Sequence, residues 1–161
     1  MVNNMKFTEF ETLYPFTLEQ DLVWGEMDAF QHLNNVAYFR LFESVRIAYF
    51  EKLGVLTTIK SRNIGPILHS TDCRFKLPLT YPDKLLLGAS ISSIESDRYR
   101  IDHGIYSYTH QKVAATGSGL IVCYDYNRQE KSKIPESLIQ SIIDFQKDCE
   151  PKIISLEKCS K

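Results

Sequence analysis

The spacing of apolar residues changes period along the chain. From Val36 to Leu53, Tyr38, Phe39, Leu41, Phe42, Val45, Ala48, Tyr49, Phe50 and Leu53 recur at helical spacing, and Gly54 follows as a C-terminal cap. At about 100° per residue these positions cover an arc of roughly 200°, wider than the usual single stripe. Arg40, Glu43, Ser44 and Glu51 occupy what remains. A flat partner cannot cover that arc. A strongly curved sheet can, and so can a sheet on one side with a second subunit on the other.

After Gly65 the period becomes two. Between Ile67 and Leu77 one face reads Ile67, His69, Thr71, Cys73, Phe75, Leu77 and the other Leu68, Ser70, Asp72, Arg74, Lys76. Pro78 and Tyr81-Pro82-Asp83 end this strand. Further strands are expected over Lys84 to Ile94, Tyr99 to Thr109 and Lys112 to Tyr126, with connections short enough for antiparallel hairpins. Phe16 to Trp24 reads as a first strand, and the polar, turn-prone Gly25 to Asn35 leads into the long helix. A final helix begins at Pro135, runs to about residue 148, and presents Leu138, Ile142 and Phe145 on one side. The pattern predicts one α+β domain over residues 1–161, with its core at about 16–135: a long helix wrapped by a curved antiparallel sheet.

Composition narrows the partners. With 161 residues, 43% of them hydrophobic, the chain is long enough to bury a core without a metal or disulfide. Nineteen basic against twenty acidic side chains lack the excess of a duplex-binding domain, so no nucleic-acid partner is expected. Cys73, Cys123, Cys149 and Cys159 show no paired or zinc-finger spacing, so no metal site is expected. The chain carries no apolar run long enough to enter a membrane and no secretory pattern at its start. The expectation is a cytoplasmic protein with no membrane insertion.

Polar groups concentrate just before the long helix. Asp28, Gln31, His32, Asn34 and Asn35 lie within eight residues. Asn34 or Asn35 suits the N-cap, and the first free backbone N–H groups, near Asn35 and Val36, point out along the positive end of the helix. Such donors hold an anion or an oxyanion developing on a carbonyl. Asp28 supplies a nearby carboxylate that can act as base or nucleophile. The residues alone leave this open, because Asp in such a loop also serves as an Asx-turn and His32 as an ordinary loop residue. Glu43, three residues from both Arg40 and Arg46, equally suits a helix-surface ion pair.

The segment WGEMDAFQHLNNVAYFRLFESVR resembles the signature of hot-dog-fold acyl-CoA thioesterases of the 4-hydroxybenzoyl-CoA thioesterase-like group, through Gly25, Glu26, Asp28, His32, Asn34, Asn35, Tyr38 and Glu43. FKLPLTYPDKLLL is similar to a later strand connection of that group. The resemblance implies a hot-dog fold, an acyl-CoA substrate, no cofactor beyond the CoA of that substrate, and a homo-oligomer, dimer or tetramer, with sites between subunits. It places the catalytic carboxylate at Asp28 and the carbonyl-polarising N–H at Asn35. His32, Asn34, Val36 and Glu43 become candidate substrate contacts. Arg98 and Arg128 are candidates for the CoA phosphates, as exposed cations near the mouth of the site.

Two departures stand out. Gln31 occupies a position the family commonly gives to Gly, and Glu26 replaces its first Asp. Gln31 could crowd the site and leave a non-catalytic module that binds acyl-CoA or an acylated carrier. A hydratase with Asp28 and His32 sharing one water is a third possibility. Retention of Asp28 favours the hydrolase.

Overall fold

The computed structural model describes residues 5–147 and the backbone of Ile154–Ser155. Cys149, Cys159 and the end of the last predicted helix at residue 148 lie outside the described residues. In chain order the elements are α1 (Phe7–Leu13), β1 (Phe16–Asp21), α2 (Asn35–Lys52), α3 (Val55–Arg62), β2 (Ile64–Phe75), β3 (Lys84–Ile94), β4 (Arg98–Ser107), β5 (Lys112–Asp125), β6 (Glu130–Lys131), α4 (Glu136–Gln146) and β7 (Ile154–Ser155). The main sheet order is β1-β3-β4-β5-β2, with β6 on β5 and β7 parallel to β3.

The fold is the expected hot-dog: α2 lies against the inner face of a curled antiparallel sheet. Leu85, Leu87, Ala89 and Ile91 of β3, Ile101 and Ile105 of β4, and Ile121 of β5 meet Tyr38, Leu41, Phe42, Val45 and Tyr49 of α2 in one buried cluster. The wide apolar arc of α2 is what allows it to be surrounded. Arg46 breaks that pattern. It is 7% exposed on the inward side of α2, where its spacing from Glu43 had suggested only a surface ion pair.

The first strand and two short helices depart most from the sequence reading. The first strand stops at Asp21, and Trp24–Glu26 instead forms a 3-10 turn that delivers the chain to the polar loop. Val55–Arg62 is helical, opened by Gly54 at φ +77° and closed by Asn63 at φ +53°. Phe7–Leu13 is helical as well and packs on the outer face of the sheet. There Phe10 and Tyr14 lie directly over Gly88 and Gly104; a Cβ on Gly88 would come within 2.5 Å of Tyr14 Cγ. Side-chain-free positions on β3 and β4 are thus the seat of α1.

Two further contacts lock the frame around the site. Asp83, in the Tyr81-Pro82-Asp83 turn, accepts hydrogen bonds from the Ser107 hydroxyl and the Thr109 N–H, tying the start of β3 to the end of β4. At the other end Gln146 of α4 accepts the Ile91 N–H at 2.8 Å and donates to the Ile91 carbonyl at 3.0 Å. It satisfies β3 where the pairing with β4 shifts register between Ile91 and Ser93.

Candidate active site

The loop before α2 is built by local hydrogen bonds. Met27 and Leu33 form an isolated bridge, the Asp28 N–H donates to the His32 carbonyl at 2.7 Å, and the Gln31 N–H donates to the Asp28 carbonyl at 3.0 Å. Asp28 Oδ1 accepts two more backbone donors, Phe30 N–H at 2.8 Å and His32 N–H at 3.2 Å. One carboxylate oxygen therefore holds the turn, as an Asx-turn does. Among the described residues, Oδ2 has no hydrogen-bond partner.

The helix start resolves the remaining donors. Asn34 is the N-cap: its Oδ1 accepts the Val36 N–H at 3.0 Å, and its carbonyl accepts the Ala37 N–H at 2.9 Å. Val36 is thereby corrected as a source of a free N–H, because the cap consumes it. The Asn35 N–H has no acceptor among the described residues. Glu26, the substituted acid, fastens this region from behind. Its carbonyl accepts the Asn34 N–H at 2.9 Å and its carboxylate lies 3.6 Å from Arg40.

Between the loop, the first turn of α2 and the chain leaving β2 lies an open cleft of about 420 Å³. Asp28, His32, Asn35 and Tyr38 form one wall, and Phe75, Lys76, Leu77 and Pro78 the other. Tyr38 is buried, and its ring meets Phe75 edge-on at 4.9 Å. Its hydroxyl pKa is raised, chiefly by burial; the Leu79 backbone N–H pulls it back, while Cys73 and Asp28 push it up. Burial, with help from nearby Arg74, lowers the pKa of Lys76. The Cys73 thiol is pushed up to about 11 by burial and by Asp72, so it stays protonated and unreactive at neutral pH.

Gln31 sits in the turn without lining the cleft beside Tyr38. It adopts φ +63°, the left-handed conformation for which a Gly would be suited, and its exposed side chain lines a neighbouring hollow with Trp24, Phe30 and Tyr81, which Asp28 and His32 also border.

The other predicted residues separate. His32 borders the cleft, but its backbone N–H, not its imidazole, meets Asp28. Val36 is 53% exposed, on a smaller hollow with Gly25 and Arg40. Glu43 is exposed, lies roughly 12 Å down the helix axis from Asn35, and has its nearest oxygen 3.9 Å from Arg46. Arg98 is held by Asp97 at 2.7 Å and Glu95 at 3.6 Å, and Arg128 lies 3.9 Å from Asp125 and 3.7 Å from Glu130. Arg98 is aligned with Val122, whereas Phe75 at the cleft is aligned with Ala115. Within one chain this puts Arg98 roughly 20–25 Å along the strands from the cleft. Sequence reasoning passed over Lys76 and assigned Tyr38 no chemical role. The signal for Tyr38 was its place one helical turn after Asn35, on the same side of α2.

Residues 22–142 match the model of the Thioesterase-like superfamily. Acyl-acyl carrier protein thioesterase ATL3 of Arabidopsis thaliana is 27% identical over 122 residues, covering 74% of this chain, and YsmA of Bacillus subtilis, an uncharacterized protein, is 29% identical over 93 residues, covering 58%. The matches span 63% and 62% of those two relatives, so the chain covers less than two thirds of either. Among solved structures, the 1,4-dihydroxy-2-naphthoyl-CoA thioesterase Slr0204 of Synechocystis superposes with TM-score 0.71 at 17% identity, over 80% of this chain and 96% of its own. A thioesterase of Thermus thermophilus, complexed with coenzyme A and Zn, gives 0.73 at 18%, over 83% and 96%. These likenesses show the shared hot-dog fold. On the family match, which covers most of its length, this chain belongs to the Thioesterase-like superfamily.

Proposed function

We propose that the protein hydrolyses an acyl thioester to a free acid and a thiol, with Asp28 as the base. The observation that carries this reading is one cleft lined by both Asp28, whose Oδ2 is free, and Asn35, whose N–H is free. The thioester carbonyl oxygen takes the Asn35 N–H at the positive end of α2. Water gives its proton to Asp28 Oδ2 and its oxygen to the carbonyl carbon. The negative charge that develops on the carbonyl oxygen is held by that backbone donor. Collapse of the tetrahedral intermediate breaks the C–S bond, and the thiolate leaves, taking a proton from Asp28 or solvent. The step uses only side chains, backbone and water.

Acyl-CoA is the proposed substrate class, with an acylated carrier protein as the alternative thiol. The ATL3 relative, whose name specifies a carrier protein, supports keeping both. Lys76 in the cleft wall and Arg74 beside it carry no ion pair among the described residues, and they suit the phosphates of either carrier. Arg98 and Arg128 reach a site only across an assembly, as contributions from a second copy. A homo-oligomer is proposed because β2 is an edge of the main sheet and leaves Ile67, Leu68 and Phe75 at 37%, 40% and 53% exposure. No helix among the described residues is long and apolar enough to cross a membrane. The free thiols of Cys73 and Cys123 suit the reducing cytoplasm proposed as its location.

The second reading, a non-catalytic binding module, draws on Gln31, which lines a neighbouring hollow that Asp28 and His32 also border rather than the cleft beside Tyr38. A panel of acyl-CoAs and acylated carrier proteins, assayed for thiol release, tests the hydrolase directly. Turnover of at least one class is expected. A folded protein that binds these thioesters and cleaves none refutes the proposal.

A further inference from the structure

We infer that Tyr38 is a positioning residue for the hydrolytic water, its hydroxyl holding that water against the free oxygen of Asp28. This rests on the hydrolase reading above and adds a second side chain to it. The phenol is fixed from three sides. It is 3% exposed, Phe75 meets the ring edge-on at 4.9 Å, and the helix carries it one turn after Asn35 on the cleft wall shared with Asp28. Leu79 borders both groups: its backbone N–H lowers the Tyr38 pKa against the burial that raises it, and its carbonyl accepts the Leu33 N–H of the catalytic loop at 2.8 Å. One stretch of backbone thus borders both the loop that presents Asp28 and the phenol beside it.

The hydrogen bonds already made give direction. Among the described residues the Tyr38 hydroxyl has no acceptor, so its proton is left to give, and the cleft that Tyr38 lines is where it can be given. Asp28 Oδ1 is taken by Phe30 and His32, which leaves Oδ2. A water that accepts from Tyr38 and donates to Oδ2 keeps its second lone pair for the carbonyl carbon. As it attacks, the water passes its proton to Asp28, and Tyr38 keeps its own throughout. His32 on the same loop and Lys76 across the cleft are the other titratable groups lining this space.

The test is Tyr38→Phe, which keeps the ring and its contact with Phe75. Expected are a 10- to 100-fold fall in kcat, a KM within about threefold of wild type and an unchanged Tm. Tyr38→Leu, which removes the ring as well, should lower kcat no less and also lower Tm. A substrate-free readout uses 13Cζ-labelled tyrosine. In Asp28→Asn the Tyr38 phenol should ionise at lower pH than in wild type, because a negative charge that opposed its ionisation is gone. Wild-type kcat in Tyr38→Phe overturns the inference, and so does a Tyr38 titration indifferent to Asp28→Asn. If that titration moves but wild type cleaves no thioester, the hydrolase reading fails and the water-holding role falls with it, while the Tyr38–Asp28 proximity stands.

Discussion

Asn34 Oδ1 accepts the Val36 N–H at 3.0 Å, and this single contact decides which donor in the first turn of α2 is left unpaired. With Val36 capped and Ala37 bonded to the Asn34 carbonyl, the Asn35 N–H is the donor left unpaired among the described residues, on a residue that lines the cleft. Caps are usually discussed as stabilisers of helices. Here the cap also acts as a selector, removing one backbone donor and leaving its neighbour.

Asn35→Pro tests that donor with little structural cost. Asn35 is the first helical residue, where Pro is well tolerated, and Asn34 at φ −58°, ψ 139° already has the extended geometry required before Pro. The variant lacks only the N–H and the Asn side chain. Turnover should fall by about 10²–10³, the scale of losing one oxyanion donor. Asn35→Ala, which keeps the N–H, should stay within a few-fold of wild type. Equal rates for Asn35→Pro and Asn35→Ala would remove the donor from the mechanism.

Gln31→Gly should raise stability by about 1 kcal/mol, because φ +63° strains a residue with a Cβ and suits Gly. Since Gln31 does not line the cleft beside Tyr38, turnover should stay within about twofold. Urea melts and thiol-release rates on the same preparations check both halves. A large gain in activity would show that Gln31 obstructs the site after all.

Much of this arrangement can be read in the sequence where period and motif agree. The bounds Lys84–Ile94 of β3 follow from a run of small and apolar residues framed by turn residues, and the wrapping of α2 follows from the breadth of its apolar arc. Asp28 and Asn35 are legible because their motif is local. What is lost is decided by distant packing. Nothing near Phe7–Leu13 announces a helix that is seated on Gly88 and Gly104, and Arg46 resembles a surface cation until the sheet closes over it. The placement of Arg98 and Arg128 depends on strand register, which no short segment of sequence contains.

His103 should make the fold acid-sensitive. It is fully buried, stacks on Phe42 at 4.9 Å, and burial, with help from Arg46, lowers its pKa to about 3. Below about pH 6.5 the unfolded chain takes up a proton that the folded chain refuses. Stability therefore falls as pH drops from 6.5 toward 3, by up to about 1.4 kcal/mol per pH unit from this one group. Denaturant melts across that range should show a shallower acid decline for His103→Leu than for wild type. Parallel declines would contradict the assignment.

Gln146→Ala should lower stability by about 2–4 kcal/mol, since it leaves both the N–H and the carbonyl of Ile91 without their partner inside the core. Thermal melts measure this. A loss below about 0.5 kcal/mol would mean that α4 is docked by its apolar side alone.

The most direct measurement is the turnover of Asp28→Asn on the best thioester substrate of wild type. The amide oxygen of Asn can still accept the Phe30 and His32 N–H groups, so the loop and the melting temperature should persist while the base is lost. A fall in kcat of at least about a hundredfold is expected. A folded Asp28→Asn protein that hydrolyses its substrate at the wild-type rate would contradict the proposed chemistry.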